Sequence, residues 1–176
     1  MDALYLALVT SGPDPIHDRI TQIAARLRRD NFTFVDLNQR VGEDNFNGIL
    51  SQFNHLLKEC EVLIGHNLHH QLDFLIAACV RSGNTARFIQ LRRCKILCTK
   101  TLASHYHESE GKKASTTLHA LLDELASIPL SVDPDAQSQV VATEIVHQLI
   151  FHRLQESPNF TRLGRDLVQI RACLKI

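Results

Sequence analysis

The hydrophobic period changes after the first forty residues of this chain, and that change limits the fold it can adopt. From Leu4 to Asn38 apolar residues run continuously or alternate; from Ile49 helical spacing enters, with short apolar runs between the helical stretches. Leu4 to Val9 is an unbroken apolar run, the pattern of a strand buried on both faces. Ser11-Gly12-Pro13-Asp14-Pro15 is a turn cluster. Arg19 to Leu27 reads as a second strand ended by Asp30-Asn31, and Phe32 to Asn38 alternates as a third. Together they predict an antiparallel meander.

Beyond the switch, Ile49, Phe53, Leu56 and Leu57 predict a helix from about Asn47 to Glu59. Glu61 to Asn67 is a fourth strand with its exit. Leu68, Leu72, Leu75, Ile76, Cys79 and Val80 make one helical stripe, with Asn67 as its cap. Ile96-Leu97-Cys98 predicts a fifth strand. Helices follow over Lys100 to His107, around Leu118 to Leu125, and around Val140 to Ile150. Three strands, then helix–strand–helix–strand–helices, predict an α/β layered domain with a mixed sheet. After Glu156-Ser157-Pro158, Leu163, Leu167, Ile170 and Leu174 align on one face of an amphipathic helical tail. The domain is thus expected over residues 1–156 and the tail over 157–176.

Composition excludes several classes. A length of 176 residues corresponds to about one domain. With 44% apolar and 22% charged residues, the chain is neither disordered nor collagen-like. No apolar run approaches the roughly 18 residues of a membrane span. Nineteen basic residues balance nineteen acidic ones, so bulk charge does not grip nucleic acid; a local patch still can. Arg87, Arg92, Arg93, Lys95 and Lys100, with Phe88 interleaved, form the main basic run and are candidates for phosphate contacts. Arg26, Arg28 and Arg29 are a weaker cluster. Eight Phe, two Tyr and no Trp argue against a dedicated base-stacking platform.

The first residues carry an acid, Asp2, where a signal peptide needs a positive segment. Five cysteines (Cys60, Cys79, Cys94, Cys98 and Cys173) are an odd set lying mostly within apolar patterns. Reduced thiols and a cytoplasmic location are expected. Zinc could in principle use Cys94, Cys98, His105 and His107, and His66, His69 and His70 also cluster. Neither spacing matches a common ligand pattern, so core thiols and surface histidines are expected.

Three segments, in order, resemble the DEDDh 3′–5′ exonuclease family of the epsilon-subunit proofreading type. The first is Leu6-Ala7-Leu8-Val9-Thr10-Ser11-Gly12, followed by Asp14-Pro15 and Asp18-Arg19-Ile20-Thr21-Gln22-Ile23-Ala24-Ala25. It is similar to the family's opening Asp-x-Glu-Thr-Thr-Gly strand and the stretch after it. The second is Val62-Leu63-Ile64-Gly65-His66-Asn67 with Phe74-Leu75, resembling Leu-Val-Gly-His-Asn-x-x-Phe-Asp-x-x-Phe-Leu. The third, Pro134 to Thr143, stands where His-x-x-x-x-Asp-Ala-x-x-Thr would be. Lys100-Thr101-Leu102 fits an intervening Asp-Thr-Leu. The resemblance covers roughly residues 3 to 152. It implies a ribonuclease-H-like, three-layer α/β domain whose five-stranded mixed sheet opens with three antiparallel strands.

The family's chemistry is phosphodiester hydrolysis by two divalent cations about 4 Å apart, held by carboxylates. On this sequence the acidic positions fall at Ala7, Val9, Gln71 and Gln139, and the general-base histidine at Pro134. Ala7 and Val9 offer no oxygen, and the two amides carry no charge. Asp73, two residues beyond Gln71, is rotated about 200° around a helix and faces away. Asp133 and Asp135 flank Pro134 and could each approach the pocket.

The resemblance therefore implies a catalytically degenerate exonuclease-like domain with no metal cofactor, serving as a nucleic-acid-binding or protein-interaction module. Thr10, Ser11, His66 and Asn67 match the family's substrate-contacting positions; Arg92, Arg93 and Lys95 add basic candidates. Single-stranded nucleic acid is one expected partner, and a protein or a second copy meeting the tail helix another. One alternative is an active exonuclease that uses Mg2+ or Mn2+ with rearranged acids (Asp73, Asp133 or Asp135). The other is a structural or oligomerising domain without a ligand.

Overall fold

A computed structural model describes residues 2–29, 32–84, 94–113, 115–126 and 132–156. Arg87, Phe88, Arg92, Arg93, the Asp30-Asn31 break, Cys173 and the tail helix lie outside the described residues. The elements run β1 (Ala3–Thr10), β2 (Ile20–Arg29), β3 (Phe32–Arg40), α1 (Phe46–Glu59), β4 (Val62–Gly65), α2 (Leu68–Arg81), β5 (Lys95–Cys98), α3 (Thr99–Ser109), α4 (Leu118–Ala126) and α5 (Ala136–Glu156).

The sheet order is β3-β2-β1-β4-β5. β1 pairs antiparallel with β2 and parallel with β4; β2–β3 is antiparallel and β4–β5 parallel. The meander, the central place of β1 and the mixed sheet are all as the sequence predicts. The long apolar run makes β1 central because both of its faces are covered. Leu4, Leu6 and Leu8 point into one core with α1 and α2. Ala3, Tyr5 and Ala7 point to the opposite face, against Ala136 and Val140 of α5. Strand alternation assigns the two sets. The small side chains of Ala3, Ala7, Ala24 and Ala136 let α5 approach the sheet. Leu102, Tyr106, Leu121, Leu125, Val146 and Ile150 form a further core that packs α3 and α4 on α5.

Three expectations require correction. Ile76 and Val80 do not belong to the buried stripe of α2; they are 44% and 58% exposed. The inward face uses Leu68, Phe74, Leu75, Ala78 and Cys79, because α2 is covered from one side only. His107 is not on the surface. It is buried one turn after Ala103 on the inner face of α3, 3.6 Å from Glu124. Asn67 precedes α2, but its side chain makes no capping hydrogen bond. Its backbone is left-handed, with φ 53°, a conformation that asparagine tolerates better than most residues.

Among the described residues, no helix is long and apolar enough to cross a membrane.

Candidate nucleic-acid site over the end of the central strand

β1 and β4 run parallel and end side by side, with Leu6 opposite Gly65. Gly65 is needed there. A Cβ at this position would come within 2.8 Å of Leu68 Cδ1 and 3.3 Å of the Leu6 carbonyl oxygen. The close approach carries His66 out of the sheet and starts α2 at once. A cleft of about 230 Å3 opens beyond these strand ends, bounded by α4 and the start of α5. Ala7, His66, Gln71, Pro134, Gln139 and Thr143 line it, with Leu118, His119, Val132 and Asp133 at its other walls. Ala7, Gln71, Pro134 and Gln139, widely separated in sequence, thus meet at one place. Val9 shares the face of Ala7 and packs into the apolar cluster under α5.

The polar groups of the cleft divide into satisfied and unsatisfied. The Gln71 amide nitrogen donates to the His66 carbonyl oxygen at 2.7 Å, leaving Oε1 buried without a partner. The Gln139 amide nitrogen donates to the Pro134 carbonyl oxygen at 3.1 Å. Thr143 Oγ1 is likewise buried without a partner. His66 Nδ1 lies 3.0 Å from the hydroxyl of Thr99, which is itself fully buried. Burial, with Lys100 nearby, pushes the His66 pKa down to about 4, so the ring is neutral at pH 7. Thr99 could not be anticipated from sequence. It lies 33 residues from His66 and is brought in by the β5–α3 junction.

Other candidates fall elsewhere. The Thr10 hydroxyl donates to the Gly12 carbonyl, and the Ser11 hydroxyl donates to Asp18 while accepting from the Arg19 amide. Neither lines the cleft. Lys95 opens β5, at the strand end remote from Cys98. Asp73 is exposed on α2. Asp135 accepts from the amide and hydroxyl of Ser138, which lowers its carboxyl pKa, and so caps the first turn of α5. Arg26, Arg28 and Arg29 do not form an open basic patch. Arg26 pairs with Asp36 and Glu144, Arg28 with Glu144, and Arg29 with Asp2 and Glu59. A larger cleft, about 470 Å3, lies between the start of β2 and the end of α2. Its Arg81 guanidinium is taken up by the carbonyls of Pro15, Ile16 and Asp18.

Two hard cations need several carboxylate oxygens. Asp133 is the carboxylate among the cleft residues; the remaining oxygens are amide and hydroxyl. His119 is engaged by Asp123 at 3.1 Å. Among the described residues, no group of three or more His, Cys, Asp or Glu is placed to hold a metal ion. The donor set of the described cleft residues does not fit a two-cation centre.

No family model and no curated protein matches the chain. Solved structures do. Brucella melitensis NrnC with bound Mg2+ superposes with a TM-score of 0.64 at 19% identity, over 98% of this chain and 80% of that one. A second structure of Brucella melitensis NrnC gives 0.65 at 18% identity, over the same shares. E. coli Exonuclease I in complex with a dA16 oligonucleotide gives 0.62 at 14% identity, over 93% of this chain and 45% of that one. The expected α/β fold, with its mixed five-stranded sheet between helical layers, is the fold these nucleases share.

Proposed function

We propose that this chain is a catalytically degenerate 3′–5′ exonuclease-like domain that binds the end of a nucleic-acid strand without divalent cations. The observation carrying this reading is the content of the cleft: Ala7, Gln71 and Gln139 in place of acids, with Gln71 Oε1 and Thr143 Oγ1 buried and unpartnered. A buried polar atom without a partner costs about 1–3 kcal/mol, and a ligand hydroxyl or amide removes that cost. Both atoms accept hydrogen bonds, which suits the hydroxyl of a terminal sugar. In an acid-lined site phosphates are repelled until cations arrive. A neutral floor removes that repulsion, and Lys100 near His66 adds a positive field.

Asp133 at the cleft wall supports the alternative of an active enzyme with rearranged acids. One incubation separates the two. A 5′-labelled oligonucleotide with Mn2+ should keep its full length while still shifting on a native gel, and the shift should weaken steeply with salt. Clean shortening abolished by EDTA would establish the active enzyme. No shift even at about 50 mM salt would remove the binding role.

A further inference from the structure

We propose that Cys60 and Cys94 form a reversible disulfide when the chain meets hydrogen peroxide or an organic hydroperoxide. Cys60 follows α1, and Cys94 precedes β5. Both thiols donate to one atom, the carbonyl oxygen of Leu57, each at 3.5 Å, so the two sulfurs converge on one point and each acts on the other's ionisation. The parallel ladder of β4 and β5 begins at Val62 opposite Lys95, two residues after Cys60 and one after Cys94. Adjacent strands lie about 4.8 Å apart and one residue advances about 3.3 Å, so a pair staggered by one residue is separated by about 5.8 Å, within the roughly 4.4–6.8 Å Cα separation a disulfide spans. Both thiols are free and half-buried, so a small oxidant can reach them. By contrast, Cys79 is sealed in the core, and the Cys98 sulfur accepts the Leu68 amide at 3.4 Å.

The pair is also chemically unequal. The interaction between the two thiols lowers the Cys94 pKa and raises that of Cys60, and burial adds to the rise at Cys60. Cys94 is therefore the thiolate that attacks. Its sulfur bonds to one peroxide oxygen, the O–O bond breaks, and hydroxide leaves and takes up a proton. The resulting sulfenic acid is attacked by the Cys60 sulfur. The S–S bond forms, the S–O bond breaks, and the leaving hydroxide takes the Cys60 proton as water. Two thiols lose two electrons in total, and the peroxide is reduced to two waters or, for a hydroperoxide, to water and an alcohol.

The link would clamp the entry of β4 to the entry of β5. The exits of the same two strands lead to His66 and Thr99, so oxidation would stiffen the ladder that presents them. The proposal stands independently of what the cleft binds. It is tested on the full chain at neutral pH. Hydrogen peroxide is added, remaining thiols are alkylated with N-ethylmaleimide, and tandem mass spectrometry of tryptic peptides locates the link. Fragmentation is required because Cys60 and Cys79 share a tryptic peptide. The expected result is a Cys60–Cys94 link that dithiothreitol reverses. Cys60→Ser should leave Cys94 to over-oxidise to sulfinic acid, and Cys94→Ser should leave Cys60 alkylatable. Full alkylation of both thiols at a dose that oxidises glutathione completely would overturn the proposal. So would a wild-type Cys94 sulfinic acid beside an alkylated Cys60, or a link from Cys94 to Cys79 or Cys98. The wild-type result decides the matter even if a variant fails to fold.

Discussion

Thr143 and Glu144 are consecutive residues on α5, and their surroundings are opposite. Glu144 points to the meander, where Arg28 Nε lies 2.9 Å and Arg26 Nη1 3.3 Å from its carboxylate, and Gln148 donates a further hydrogen bond. Thr143 points into the cleft, where its buried hydroxyl has no partner. In the first region charges are closed on one another and hold the helix to the sheet. In the second, Gln71 Oε1 and Thr143 Oγ1 are buried without a protein partner. Buried polar groups in a folded chain are almost always satisfied. Gln71 Oε1 and Thr143 Oγ1 are two such exceptions facing one cleft; others, at His107 and Gln137, lie outside it. Exceptions that open onto a cleft can be met by a ligand, whereas the closed network around Glu144 serves the fold.

This contrast can be broken by substitution. Glu144→Ala leaves the partly buried Arg26 and Arg28 without their shared carboxylate, while Arg26 keeps Asp36, and chemical denaturation should show a loss of about 3 kcal/mol. An unchanged midpoint would mean that the network is not structural. Acid acts on a comparable scale at each of two buried rings. Burial pushes His147, whose Nδ1 accepts from the Tyr5 hydroxyl at 3.0 Å, down to about 4, as it does His66. Each folded pKa lies below the unfolded value of about 6.5, so the unfolded chain takes the proton first. The stability each ring contributes is complete above pH 6.5 and is lost as the pH falls toward 4, on the order of 3 kcal/mol per ring. Denaturation midpoints across that window should fall, and His147→Gln should remove about half of the slope. An unchanged slope would contradict the burial of that ring.

Smaller effects sharpen the cleft side of the comparison. Gly65→Ala pushes a methyl against Leu68 and the Leu6 carbonyl, and should cost about 2 kcal/mol by thermal unfolding. Thr143→Val replaces an unpartnered hydroxyl by a methyl of similar size. It should leave stability within about 1 kcal/mol of wild type, on the stabilising side, while weakening oligonucleotide binding. A large loss of stability would show that the hydroxyl is satisfied after all, and the contrast with Glu144 would collapse.

The sequence carried the sheet well and the site only partly. The apolar run of Leu4 to Val9 shows a strand covered on both faces, because no half-exposed strand can hold it in water. Gln71, Pro134 and Gln139 were brought to the end of that strand by resemblance alone, since nothing in their local pattern marks them. Periodicity does not show that Ile76 and Val80 are exposed, because it gives a direction and not how much of a helix its neighbours cover. The burial of His107 escapes the pattern for the same reason in reverse. In the sequence Arg26, Arg28 and Arg29 stand only as a weak basic cluster; folding pairs them with acids instead. Glu144, the partner of Arg26 and Arg28, lies 118 residues beyond Arg26, so only the folded chain reveals why they are there.

The most direct test of the cation-free cleft is a pair of oligonucleotide titrations at equal ionic strength, one with Mg2+ and one with EDTA. The dissociation constants should agree, and Thr143→Val should raise both equally. Binding that appears in Mg2+ and vanishes in EDTA would mean that the cleft holds cations despite Ala7, Gln71 and Gln139, and would contradict the account.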